Sequence, residues 1–181
     1  MKANLLISII SLVLFSCAQP ATNQDTLSSE PINEEAEKTA ILKTIEQETA
    51  AFFARDYEAW KKCFLQKDYA FQGWNNKDGS FDASVGWNNI DTRIGDYIKA
   101  NPLQQVASSH PEVLRKNMTV HFFSDKLAYL VWDQYNSDTE KKSFYHSREQ
   151  RIMEKQDGAW KILNVTSFWN NTNMIAADSI L

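Results

Sequence analysis

Residues 127–135 read Leu-Ala-Tyr-Leu-Val-Trp-Asp-Gln-Tyr, and residues 147–165 read Ser-Arg-Glu-Gln-Arg-Ile-Met-Glu-Lys-Gln-Asp-Gly-Ala-Trp-Lys-Ile-Leu-Asn-Val. Polar and charged side chains are set among apolar ones, which suits strands with one buried face. Asp157-Gly158 separates two strand-like runs and signals a tight hairpin, because a type I′ turn needs positive φ at both central residues. With Asn117–Phe123, which turns near Ser124-Asp125-Lys126 into Leu127–Tyr135, the pattern predicts an antiparallel meander ending at Trp169. A sheet of this kind makes the wall of a pocket.

Upstream the period changes. Asn33 is placed to cap a helix whose first turn carries Glu34, Glu35 and Glu37, suited to the positive end of the helix dipole. Ile41, Leu42, Ile45, Phe52 and Phe53 then repeat at helical spacing. Glu48 falls inside that apolar stripe. It is either a carboxylate at the stripe's edge reaching water or a pocket carboxylate with a raised pKa. Asp56 can cap a second helix through Tyr57, Trp60 and Phe64. A short strand over Tyr69–Gly73, a loop from Trp74 to Gly79, and a third helix capped by Ser84 and carrying Trp87, Ile90, Ile94 and Ile98 complete the pattern. Helices first and a meander after predict an α+β domain.

The chain's beginning reads differently. Lys2 and the apolar run Leu5–Phe15 form a secretory signal over residues 1–16. As a helix the run would rise about 16 Å, too short for a hydrocarbon core of about 30 Å. Leu14-Phe15-Ser16-Cys17 resembles the lipobox of bacterial lipoproteins, which implies cleavage before Cys17 and its lipidation. Residues 17–33 are polar and Pro-containing, a tether between the lipidated Cys17 and a domain over residues 34–181. The expected location is the cell envelope, first of all the outer membrane, with the domain in the periplasm or at the cell surface. Lipidation of Cys17 leaves Cys63 unpaired, so no intrachain disulfide is expected. Loss of Lys2 takes the net charge from −4 to −5, which argues against a nucleic-acid partner.

The order of helices and the charged-x-Asp157-Gly158-x-Trp160-Lys161-Ile162 hairpin resemble the nuclear transport factor 2-like superfamily, including SnoaL-like domains, over about residues 34–169. Leu127–Leu130, Gln134, Tyr135, Glu149, Arg151, Asp157, Gly158 and Trp160 are also similar to the association domain of calcium/calmodulin-dependent kinase II. The resemblance implies a cone-shaped fold: about three N-terminal helices packed on a curved antiparallel sheet, enclosing a cavity and dimerising through the sheet. It implies no single activity.

Alternation groups Tyr129, Val131, Asp133 and Tyr135 on one face of their strand, and Glu149, Arg151 and Met153 on one face of the next. Arg151 matches a pocket arginine of the association domain; if Val131 matches another, Asp133 lines the cavity and Trp132 points to a dimer interface. Arg151 could pair with Asp133 or Glu149, or hold a ligand carboxylate bidentately. Trp74 and Trp87 are placed to rim the pocket mouth. His110, His121 and His146 lack metal-ligand spacing, and no Gly-rich phosphate loop is present, so neither metal nor cofactor is expected. His121 and Asp133 on adjacent strands could form a base pair of residues if the turn between them brings both to one face.

Three functional readings follow. One is non-catalytic binding of a small, partly apolar molecule, with Asp133, Glu149, Arg151, Trp74 and Trp87 as contacts. The second is an isomerase, cyclase or dehydratase with Asp133 or Glu48 as general base and Tyr129 or Tyr135 stabilising an oxyanion. The third is an oligomerisation module. The enzyme reading requires a cavity carboxylate with a raised pKa and no basic partner.

Overall fold

The computed structural model describes residues 32–103 and 111–180. The signal segment, Cys17 and His110 lie outside the described residues.

Helix α1 (Glu34–Ala54) starts where predicted, with the Ala36 N–H donating to Asn33 Oδ1 at 3.2 Å. It stops at Arg55, whose left-handed backbone (φ 57°) lets its N–H reach the carbonyls of Ala51 and Phe52. Asp56 then caps α2 (Tyr57–Lys62) by accepting the Ala59 N–H at 2.9 Å. Ile41 and Ile45 point into the core, and Glu37 pins the helix to the far hairpin by accepting from Lys155 Nζ and Trp160 Nε1, both at 2.6 Å.

Strands β1 (Phe71–Asn75) and β2 (Phe81–Val85) form a hairpin where the sequence suggested a strand, a loop and a helix cap. Ser84 is therefore a strand residue paired with Gln72, not an N-cap. The helical stretch begins after Gly86, whose φ of 82° and close approach to the Asp68 carbonyl favour glycine. It comprises α3 (Trp87–Ile90), a π-helical turn (Asp91–Gly95) and α4 (Asp96–Ala100).

The meander follows as β3 (Val113–Ser124), β4 (Leu127–Ser137), β5 (Ser143–Gln156) and β6 (Ala159–Trp169). Asp157 and Gly158 have φ of 52° and 78°, as the predicted hairpin turn demands. The strand order is β2-β1-β6-β5-β4-β3. The sheet is mixed rather than wholly antiparallel, because β1 pairs with β6 in parallel. Such pairing needs an intervening crossover, here everything from β2 to β5. Bulges between Lys116 and Thr119, at Phe123, and opposite Ile152–Met153 bend the sheet around α1.

The core lies between α1, α2, α3 and the concave face. Trp60, Phe64 and Trp87 pack with ring centroids 4.7–5.9 Å apart, and Leu130, Trp132, Met153 and Ile162 close the layer from the sheet. Residues 170–180 form an edge piece: β7 (Ile175–Ala176) pairs with Ser143–Phe144, and Ile180 is buried with its carbonyl accepting from Lys116 Nζ.

Candidate functional site

A cavity of about 510 Å³ opens between α1 and the concave face of the sheet. The helix contributes Glu48, Thr49, Phe52 and Phe53; β1 contributes Gln72 and Trp74; the π turn contributes Ile94. From the meander come Val113, Gln134, Asn136, Glu149, Arg151, Val165, Ser167 and Trp169. Most of the wall's surface is apolar, and eight polar or charged side chains converge on it: Glu48, Thr49, Gln72, Gln134, Asn136, Glu149, Arg151 and Ser167. A second hollow of similar size lies beside α1 and α2, lined by Cys63 with Thr44, Gln47, Asp56 and Lys62; burial pushes the Cys63 thiol up to about 11.

Glu149 and Arg151, two apart on β5, share the concave face. Glu149, 1% exposed, accepts from Ser147 Oγ at 2.7 Å on Oε1, and from Arg151 Nη1 at 2.9 Å and Ser167 Oγ at 2.6 Å on Oε2. A buried carboxylate with three donors is well compensated. Arg151 lies over the Trp132 ring, 5.1 Å from its centroid, and also donates to the Gln150 carbonyl.

Glu48 is held differently. Its Oε2 is 3.4 Å from Thr49 Oγ1, which in turn accepts from Arg115 Nη2 at 2.8 Å. It makes no ion pair within 4 Å among the described residues. Burial pushes its carboxyl above the ordinary value, more than the Arg151 charge, the Trp60 indole and the Arg115 charge pull it back, and Glu149 adds to the rise. Burial likewise lowers the Arg115 guanidinium. Buried polar atoms without a partner gather here: Gln72 Oε1, Asn136 Oδ1 and Arg151 Nε on cavity residues, and Arg115 Nε on a residue that acts on Glu48.

At the mouth, Arg93 lies over Trp74 at 5.1 Å from the ring centroid and pairs with Asp82 at 2.5 Å. Trp87 is not at the mouth: it is 9% exposed and packed between Trp60 and Phe64, because β2 takes up the residues expected to begin its helix. Asp133, Tyr129 and Tyr135 are not in the cavity either. Alternation along β4 places Leu130 and Trp132 in the core and Gln134 and Asn136 on the cavity, so the odd-numbered residues face outward. Asp133 is buried against that outer face by Asn117 Nδ2 (2.9 Å), His146 Nε2 (3.0 Å) and Arg148 Nε (2.9 Å). Arg151 therefore pairs with Glu149, not Asp133. A two-residue turn plus a bulge at Phe123 sets His121 opposite Tyr129, on Asp133's face, but His146 is the histidine that reaches Asp133.

Of the residues singled out from sequence, Glu48, Glu149, Arg151 and Trp74 meet at the cavity. Thr49, Gln72, Arg115, Ser147 and Ser167 were not foreseen. Arg115 was hidden by the bulge at Asn117 (φ 54°): odd positions face inward before it and even positions, Met118 and Val120, after it. Alternation read from Asn117 onward gives the wrong face for Arg115. Among the described residues no group of three His, Cys, Asp or Glu side chains could hold a metal ion.

Solved structures share the fold. An NTF-2 like protein from Shewanella oneidensis matches with a TM-score of 0.54 at 18% identity, over 73% of this chain and 98% of that one. The fold is NTF2-like. The association domain of C. elegans CaMKII matches with a TM-score of 0.54 at 18% identity, over 74% of this chain and 96% of its own. Hexachlorocyclohexane dehydrochlorinase LinA-type3 from Novosphingobium barchaimii matches with a TM-score of 0.54 at 12% identity, over 79% and 91%. At these identities the likeness is one of NTF2-like fold alone. No protein-family model and no curated protein sequence matches the chain.

Proposed function

We propose that this NTF2-like domain binds a small, partly apolar molecule in the cavity between α1 and the sheet, held to an envelope membrane through lipid on Cys17. The observation that carries the reading is an aromatic-walled space of about 510 Å³ with unpartnered buried polar atoms gathered around it. Unsatisfied buried groups are each costly by about 1–3 kcal/mol, and a ligand with matching polar atoms offsets that loss. The Glu149–Arg151 pair neutralises itself, so the cavity favours a neutral ligand that donates a hydrogen bond to Glu48. Native mass spectrometry of the protein purified from its own host tests this. A reproducible non-covalent adduct lost in Trp74→Ala supports the reading; a mass with no non-covalent adduct, together with no uptake of phenol or indole probes, sinks it.

Glu48 favours a second reading. It is a cavity carboxylate with a raised pKa and no basic side chain paired directly to it, which is the condition for a general base. The structural neighbour named as a dehydrochlorinase shows that the fold can house elimination chemistry. Turnover of the captured molecule that disappears in Glu48→Gln while binding persists would establish it. Exposed Phe123 and Phe168 supply an apolar component for a homodimer through the sheet, and a monomer by sedimentation would remove that reading.

A further inference from the structure

A guanidinium carries donors and no acceptor. The 2.8 Å contact between Arg115 and Thr49 is therefore an N–H donated to the hydroxyl oxygen. The hydroxyl has one proton, and with its oxygen so engaged that proton turns to Glu48 Oε2. The two links join β3 to α1 at the cavity wall, a cation to a carboxylate through one directed hydroxyl. We propose that Thr49 is a positioning residue that couples Arg115 to Glu48, and that this coupling sets the orientation and proton affinity of the carboxylate offered to a ligand.

The Arg151 charge and the Trp60 indole on α2 lower the Glu48 carboxyl more than Arg115 does, but Arg115 is the cation joined to it through a hydroxyl. Arg151 and Glu149 approach from β5, Arg115 from β3, and Cys63 from the end of α2. Arg151 is already bonded to Glu149, and Cys63 is a neutral thiol at ordinary pH. Arg115 makes no ion pair within 4 Å among the described residues, and its Nε has no partner. Its charge reaches a carboxylate through Thr49. At 3.4 Å the second link is longer than the usual hydroxyl bond of about 2.7–2.8 Å, and a bond to a fully charged carboxylate is shorter still. The contact has room to tighten as Glu48 loses its proton, so the relay acts on the ionised form. The coupling matters to a ligand only if the cavity is the binding site, as proposed above, but it is measurable without any ligand.

The test is a pH titration of the unliganded protein with ¹³C-labelled glutamate carboxyls, the Glu48 signal being the one lost in Glu48→Gln. Thr49→Val keeps the shape and removes the hydroxyl; it should raise the Glu48 midpoint by about half a pH unit or more, and Thr49→Ser should restore it. Arg115→Gln should raise it as well, and the double variant should go no further than the larger single shift, because both cut one path. A Thr49→Val midpoint equal to wild type overturns the proposal, as do single shifts that add. Thr49→Val against Thr49→Ser decides the matter even if the Arg115 variant fails to fold. A flat response here leaves ligand capture untouched, and a cavity that captures nothing leaves this titration untouched.

Discussion

Trp132 and Asp133 are neighbours on β4 and belong to opposite sides of the sheet. Trp132 is fully buried beneath the Arg151 guanidinium, whereas Asp133 is bound on the outer face by Asn117, His146 and Arg148. One residue of alternation thus separates the cavity's charge pair from a surface carboxylate that serves the fold.

That outer cluster makes stability fall in acid. Burial raises the Asp133 carboxyl, but the Asn117 and His146 hydrogen bonds and the Arg148 charge more than offset it, and it ends below its ordinary value. A depressed carboxylate adds stability above its unfolded pKa, about 3.9, and loses it as pH falls through the folded value. Asp133→Asn should therefore destabilise the protein at pH 6 and much less at pH 2.5. Urea midpoints at the two pH values check this; equal losses would show that the carboxylate charge is not involved.

Glu48 has the opposite sign. Its folded pKa is raised, so no penalty exists below the unfolded value, and the penalty grows as pH rises until the folded value is passed. Glu48→Gln should raise Tm at pH 7.5, by about 2–4 °C for each kcal/mol relieved, and change little at pH 4. Calorimetry at both pH values is the measurement. A lower Tm at pH 7.5 would mean that the ionised carboxylate is better satisfied than its contacts indicate.

The Glu149–Arg151 pair should behave as a buried couple. Arg151→Met alone leaves Glu149 buried with only Ser147 and Ser167 as donors and should cost about 3–5 kcal/mol. Adding Glu149→Gln should recover part of that loss. Denaturant titration of the two singles and the double gives the coupling; strict additivity would contradict the pairing.

Trp74 and Trp87 should separate binding from folding. Trp74 lines the cavity, so Trp74→Ala should weaken ligand uptake tenfold or more, about 1.4 kcal/mol, with a small effect on unfolding. Trp87 packs on Trp60 and Phe64, and Trp87→Ala should destabilise by about 3–5 kcal/mol. Indole uptake measured beside urea midpoints distinguishes the two.

The hairpin turn offers a local check. Gly158 has a φ of 78° with open space around its Cα, so Gly158→Ala meets backbone strain and no clash. The expected loss is about 1–2 kcal/mol. A neutral result by thermal melting would show that the turn relaxes to another type.

Local signals carried a good part of the architecture. Asn33 and Asp56 are caps because a short polar side chain before an amphipathic run can accept a free helix N–H, and Asp157-Gly158 turns because both residues tolerate positive φ. Period-two alternation put Glu149 and Arg151 on one face, and the apolar stripe of α1 put Glu48 beside the core. What a strand's pattern does not contain is which of its faces meets the helices. That depended on the core that the helices share with Leu130, Trp132 and Met153, which turned Asp133, Tyr129 and Tyr135 outward. Nor does the pattern contain bulges: one at Asn117 reversed alternation and brought Arg115 inward, and one opposite Ile152–Met153 set Arg151 against Val165. The composition and spacing of residues determined the elements and their turns, because those are short-range properties of the backbone. The cavity and its Glu48–Thr49–Arg115 contact were decided only in three dimensions, because they depend on how a bent sheet registers against one helix.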